Sequence, residues 1–233
     1  MQLVTERLLA EYLRDDWILE LMHREARPDD AVSVTQRWHL ESAPKRMICA
    51  WLYGDLLRGG RRRRVLDVGG GLWSMSRLLA NVHDYTLVDI LAHDAPARAL
   101  LEQPVGRLFI IDRDWYAVFP ELGDCYEVII ANDLFPNVDQ RLALFLDKAL
   151  PVTREVRLSL TFYNRPRFYQ CQSLETDEVF CMLAWDGDQT ARTLQRYRDR
   201  IHSANFAELV RDPPSLYANG RQVCLIRLDG DAA

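Results

Sequence analysis

The chain has 233 residues, with 29 Lys and Arg against 34 Asp and Glu for a formal charge of −5, and 48% of its residues are hydrophobic. That balance excludes wholesale disorder, and the length suits one large α/β domain or two small ones with a sizeable core. No apolar run approaches the roughly 18 residues of a membrane helix, the opening residues lack a signal-peptide core, and the net acidity argues against nucleic acid as the main partner.

Residues 1–58 read as helical. Leu8, Leu9, Tyr12, Leu13 and Trp17 recur at three- and four-residue spacing, an apolar helical face. A Pro and two Asp in ARPDDAV (26–32) signal a turn. A further helix is predicted from about Ser42 to Leu57, with Pro44 in its first turn and Gly59-Gly60 beyond its end. Short β-like runs then alternate with helical ones: VLDV, SMSRLLANV, YTLVDIL (85–91), RLFIID (107–112), YEVIIAND (126–133), VDQRLALFLDKAL and VRLSLTFYN (156–164). Such alternation predicts a parallel sheet. A helix is expected over 190–201. FAELV (206–210) and QVCLIRL (222–228) read as two late strands, joined too tightly for a crossover helix and so antiparallel.

Five cysteines are present, Cys49, Cys125, Cys171, Cys181 and Cys224, without a CxxC pair. Zinc and thioredoxin readings therefore fail, and buried free thiols in a reducing cytoplasm are expected. No distinct spacing of acids suggests a metal site.

The informative stretch is Arg64 to Leu79, RVLDVGGGLWSMSRLL. A buried strand carries Asp67, the turn carries Gly69, Gly70 and Gly71, and a helix begins near Ser74. Glycines there let the backbone approach a ligand, and a helix N-terminus offers unpaired N–H groups. Asp89 ends the next strand, where an acid can accept both hydroxyls of a ribose. A bare G-x-G is weak evidence; the ordered strand, glycine turn, helix, strand and acid is much stronger.

On these residues the chain resembles the class I S-adenosylmethionine-dependent methyltransferases over roughly residues 60–230. Asp67-Val68-Gly69-Gly70-Gly71-Leu72-Trp73 follows the family's acid-x-GxGxG motif at Gly69 and Gly71. Trp73 replaces the third glycine, which suggests a bulky wall at the helix start. The resemblance implies a Rossmann-like α/β three-layer sandwich, with a mostly parallel seven-stranded sheet ending in an antiparallel strand. It also implies S-adenosylmethionine as cofactor. A helical extension or lid (1–58) would precede a cofactor-binding domain (59–230), the two forming one structural unit. Asp67, Gly69 and Gly71 would hold the methionine part, Asp89 the ribose, and Asp112 or Asp114 with Trp115 the adenine, with Gly70 and Ile90 also in the cofactor site. Asn132 would touch the cofactor or acceptor. An NAD-binding dehydrogenase is the main competitor, but Asp67 would repel a pyrophosphate and welcome an ammonium.

The chemistry needs alignment behind an activated methyl group, water exclusion and, for a hydroxyl or ammonium acceptor, a base. The base candidates are His39, with Asp133 and Tyr163 behind it. Each has a plain structural reading too, and His39 as an ordinary interhelical histidine is the commoner case. Arg165 and Arg167 follow the fifth strand, and Phe168 to Trp185 occupies a place of substrate-specific insertions in this family. NDLFPNVD (132–139) lacks the NPPY or DPPY signature of methylation on nucleobase or glutamine-amide nitrogens. The expected activity is methyl transfer to an oxygen or nitrogen of a small molecule, in specialised biosynthesis. Its rivals are a protein or RNA methyltransferase, a non-catalytic S-adenosylmethionine-binding partner subunit, and non-methyl chemistry with the same cofactor. The N-terminal helices would serve as a lid, a homodimer surface or both.

Overall fold

The computed structural model describes residues 1–27, 33–91, 94, 109–111, 113–123, 125–172, 179–211 and 214–232. Strand β1 (Gln2–Leu3) precedes helices α1 (Glu6–Tyr12), α2 (Trp17–Glu25), α3 (Val34–Glu41) and α4 (Ala43–Leu57). Each helix starts on a side-chain cap: Thr5, Asp16, Ser33 and Ser42 accept from the backbone N–H three residues on. Such a cap is worth about 1 kcal/mol. Next come β2 (Arg64–Val68), α5 (Ser74–Val82), β3 (Asp84–Val88), β4 (Phe109–Ile111), α6 (Trp115–Val118), β5 (Tyr126–Asn132), α7 (Leu142–Ala149) and β6 (Thr153–Tyr163). The hairpin β7 (Arg167–Gln172) and β8 (Val179–Ala184), helices α8 (Gly187–Gln195) and α9 (Ala207–Val210), and β9 (Arg221–Asp229) complete the order.

Seven strands form one sheet in the order β1-β9-β6-β5-β2-β3-β4. The strands from β6 through β4 run parallel, whereas β9 is antiparallel to β6 and β1 to β9. The alternation of β-strand side chains sends two separate apolar sets to the two faces. Leu66, Val68, Ile129, Ala131, Val156, Leu158, Leu160, Cys224 and Ile226 pack with Phe145 and Leu146 of α7 and Leu194 of α8. Val65, Tyr85, Leu87, Val128, Ile130, Val223 and Leu225 pack with Ile18 and Met22 of α2, Leu52 and Leu56 of α4, and Met75 and Leu79 of α5. Burying each such aliphatic side chain contributes about 1.5–3 kcal/mol. A three-layer α/β sandwich results, and the N-terminal helices are part of it.

Two expectations fail. FAELV is not a strand: Ala207–Val210 is helical, with Phe206 and Leu209, three residues apart, turned to the same core. Its carbonyls lie so close to the start of α8 that a Cβ on Gly187 would collide with the Leu209 backbone. The antiparallel partner of QVCLIRL at the sheet edge is instead Gln2–Leu3, through Gln2 opposite Leu225 and Leu3 opposite Cys224. Not all the thiols are buried either: Cys49 and Cys224 are, Cys125 and Cys181 are exposed. The helix expected over 190–201 starts at Gly187 on an Asp186–Gln189 capping box, and it gives way to a 3-10 turn at Arg198–Arg200.

Candidate functional site

Strand register assembles the site. Val68 lies opposite both Val88 and Ala131, so Gly69, Asp89 and Asn132 emerge side by side at the carboxyl edge of the sheet. Asn132 is opposite Ser159, and Tyr163 is opposite Arg221, which brings the start of β9 to the same edge. Open α/β sheets bind ligands at that edge, where strand order reverses. Here the reversal falls between β2 and β5.

The glycine turn is shaped by its neighbours. Gly69 and Gly71 have φ of 74° and 72°, in the left-handed region that side chains rarely adopt. Gly70 does not need that freedom. A Cβ there would instead lie 2.5 Å from Asp67 Cγ and 2.6 Å from Oδ1, because the Asp67 carboxylate is tucked beneath it. Asp67 is 2% exposed and accepts from Tyr53 Oη at 3.0 and 3.1 Å and from Tyr85 Oη at 2.5 Å. No cation pairs with it among the described residues. Burial, with the nearby Asp89 charge adding to it, pushes its pKa up to about 7, and the two tyrosine hydroxyls offset only part of that rise. Asp89 is also buried; Oδ2 accepts from Gly71 N at 2.9 Å and Oδ1 from Leu91 N at 2.7 Å. Ile90 beside it is half exposed.

Helix α3 lies over this turn. A Cβ on Gly71 would meet Thr35. Ser33 Oγ is 2.8 Å from Leu72 O and 3.0 Å from Asp94 Oδ2. Helix α5 has no side-chain cap of its own; Gln36 Oε1 of α3 supplies it, accepting from Ser74 N at 3.2 Å and Ser74 Oγ at 2.8 Å. Trp73, the residue in place of a third glycine, is buried and stacks on His39 with ring centroids 3.9 Å apart.

His39 is buried, and its Nδ1 is 2.9 Å from Thr35 O. A carbonyl only accepts, so Nδ1 carries the proton and Nε2 keeps a lone pair. Nε2 is buried without a hydrogen-bond partner among the described residues. Burial lowers the His39 pKa to about 3, and the Lys45 charge adds to this. The imidazole is therefore neutral near pH 7.

Asn132 and Asp133 end β5. Asp133 adopts φ 56°, an unusual conformation for a non-glycine residue. Its N–H donates to Ser159 Oγ at 2.8 Å. Its Oδ1 accepts from Thr161 Oγ1 at 2.9 Å and from Arg221 Nη2, and Lys45 Nζ stands 3.4 Å from Oδ2. Burial opposes ionisation, but the Arg221 and Lys45 charges prevail and hold the carboxyl well below the usual range. Tyr163 is buried, and its N–H donates to Trp185 O at 2.8 Å.

Trp115 and Asp114 have partners of their own. Trp115 is buried in an aromatic cluster with Tyr116, Phe119, Phe135 and Phe145, and Nε1 donates to Asp139 at 2.7 Å. Asp114 caps α6 and pairs with Arg141 at 2.6 Å. Asp112 and His93, and the side chain of Arg167, lie outside the described residues. Sequence reasoning missed Tyr53, Tyr85, Gln36, Lys45, Ser159, Thr161 and Arg221. One signal was available: Ser159 and Thr161 interrupt an apolar central strand at every second position, so they share one face.

No protein-family model matches the chain, and no curated protein does. Solved structures do. The N-terminal domain of EvdMO1 with SAH bound is 12% identical, with 78% of this chain and 80% of that chain covered at a TM-score of 0.53. The same domain in the presence of SAH and D-fucose is 11% identical over 78% and 82%, at 0.51. At these identities the likeness is one of fold. With the strand order and the antiparallel β9, it gives the chain the Rossmann-like fold of the class I methyltransferases.

Proposed function

We propose that the protein is an S-adenosylmethionine-dependent methyltransferase acting on an oxygen or nitrogen of a small-molecule acceptor. Asp67 carries the reading: a buried carboxylate without a cationic partner, set directly beneath the glycine turn. Such a group is costly unless an opposite charge reaches it. The ammonium of a methionine moiety lying on Gly69–Gly71 supplies that charge; a pyrophosphate would meet repulsion. The residues present therefore fit the cofactor. Asp89 would take the ribose hydroxyls, since each of its oxygens retains a lone pair after accepting from Gly71 and Leu91. The half-exposed Ile90 would border the adenine; Asp112 or Asp114 is the acid expected there, and of these Asp114 already caps α6 and pairs with Arg141. Trp115 is committed to its aromatic cluster and to Asp139.

When bound, the cofactor supplies an already activated methyl group. The chain then has to bury, align and deprotonate. Residues 1–58 would act as the cover, since Thr35, Gln36 and His39 of α3 lie over the turn. Of the three base candidates, Asp133 is a poor proton acceptor because Arg221 and Lys45 stabilise its charge. Tyr163 is buried. His39 Nε2 has an unused lone pair, and the bond from Nδ1 to Thr35 holds the tautomer that presents it. We assign the proton transfer to that atom: with its pKa lowered to about 3, it accepts the proton only as the forming bond to the methyl group acidifies the acceptor atom. Calorimetric titration with S-adenosylmethionine and, separately, with NAD tests the reading. Micromolar binding of the first and none of the second is expected; the reverse would overturn it.

A further inference from the structure

The Asp133 cluster lines a cleft of about 10 Å³, room for roughly one water-sized group, formed by Lys45, Ile48, Asn132, Asp133, Ser159, Tyr217 and Arg221. Its hydrogen-bond directions can be followed atom by atom. Ser159 Oγ accepts from Asp133 N and donates to Asn132 Oδ1 at 2.7 Å, so its own proton is spent. Asn132 therefore has its oxygen satisfied and keeps its NH2 as the end that carries hydrogens. Both Asp133 oxygens are engaged, by Thr161 and Arg221 on one side and Lys45 on the other. Arg221 lies against the Tyr217 ring, with the guanidinium carbon 5.2 Å from its centroid. Its Nε is buried and has no acceptor among the described residues. At 3.4 Å, Lys45 is beyond the range of a tight charge-assisted bond, and its side chain is 28% exposed.

The cleft thus holds two cations against one carboxylate, and its unspent groups are donors: Arg221 Nε–H, the Lys45 ammonium and the Asn132 amide. A donor-rich cleft with one excess positive charge is complementary to an oxyanion and repels an amine. It adjoins the base assigned above, because Lys45 and Asp133 are near enough to His39 for their charges to move its proton affinity in opposite directions. We infer that the methyl acceptor carries an anionic group, a carboxylate or phosphate, one oxygen of which takes that water-sized space beside Arg221, Lys45 and Asn132. Asp133 then serves to position Arg221 and does not remove the proton. This inference rests on the methyltransferase reading for the word acceptor, but the oxyanion site itself can be measured without turnover.

The probe is benzoate, with benzamide as its uncharged counterpart, followed through the arginine Nε–H resonances in nitrogen–proton correlation spectra. The Arg221 signal is assigned by its loss in Arg221→Lys. Titrations are run on the free protein and on protein saturated with S-adenosylhomocysteine. Benzoate is expected to shift the Arg221 resonance saturably in both states, and benzamide to leave it in place. Lys45→Met, which leaves the Asp133–Arg221 pair intact, is expected to weaken benzoate about tenfold. Equal shifts from both probes, or none from benzoate, would overturn the inference. So would benzoate binding that disappears once S-adenosylhomocysteine is bound, because the cations would then serve the cofactor's own carboxylate. Failure of S-adenosylhomocysteine to bind at all would remove the methyltransferase reading instead, whatever benzoate does to the free protein.

Discussion

Replacing Gly70 by Ala isolates one contact at the centre of the site. The backbone there does not require glycine: Gly70 is absent from the positions with positive φ, unlike Gly69 and Gly71. The obstacle is steric, and the three atoms nearest an added Cβ all belong to the Asp67 carboxylate. That carboxylate cannot swing aside freely, since Tyr53 and Tyr85 hold it from α4 and β3. Forcing a methyl group into such a place typically costs about 1–3 kcal/mol. For a chain of this size each kcal/mol lowers the Tm by roughly 2–4 °C. Gly70→Ala should therefore melt about 2–12 °C below the wild type, read by tryptophan fluorescence or calorimetry. In an Asp67→Ala background the obstructing atoms are gone. An alanine that fits its backbone stabilises by about 0.4–1 kcal/mol through the unfolded chain, so the same substitution should there become neutral or favourable. The double-mutant cycle thus predicts a change of sign. If Gly70→Ala costs the same with and without the Asp67 carboxylate, the packing of the turn on that carboxylate is refuted.

The proton affinity of Asp67 gives a second expectation. Burial raises it from 3.8 to about 7, so between those pH values the folded chain binds more protons than the unfolded one and loses stability as pH rises. The full window corresponds to roughly 4 kcal/mol at 1.36 per unit. Urea unfolding across pH 4–7 should show that decline in the wild type and little of it in Asp67→Asn; identical slopes would contradict it. A third concerns Arg157, a charge fully buried on the α4 face, paired with Asp55 at 2.5 Å and Glu155 at 3.0 Å and donating to Leu52 O. Arg157→Met removes these bonds but leaves the partly exposed Asp55 and Glu155 paired with Arg63 and Arg227, and should cost about 1.5–3 kcal/mol in denaturant unfolding, while a loss below about 0.5 kcal/mol would show that water replaces the arginine readily.

The parts of this structure visible in sequence are those in which neighbours in the chain act together. The strand–glycine–helix unit and its Asp89 could be read because spacing along the chain encodes them. So could α4, whose Ser42 and Pro44 start signals are local. What escaped depends on residues far apart. Nothing near Gln2–Leu3 announces a strand, because two residues show no periodicity and their partner lies at Cys224 and Leu225. FAELV has the composition of either element, and packing against the start of α8 decides for the helix. In the site, the role of Gly70 follows from Asp67 pointing under the turn, which GGG alone does not reveal. Asp133 looked like a base until Arg221 and Lys45, each 88 residues away, were seen to hold its charge. His39 was the first base candidate in sequence, beside its commoner reading as an interhelical histidine; its tautomer and its unused Nε2 are visible only with Thr35 and Trp73 around it.

The most direct test of the central claim is calorimetric titration with S-adenosylhomocysteine of the wild type and of Asp89→Ala, both checked for folding by thermal unfolding. The account predicts micromolar binding to the wild type and an affinity at least about tenfold weaker, or 1.4 kcal/mol, in the variant. Absence of binding to the wild type, or equal binding by both proteins, would contradict it.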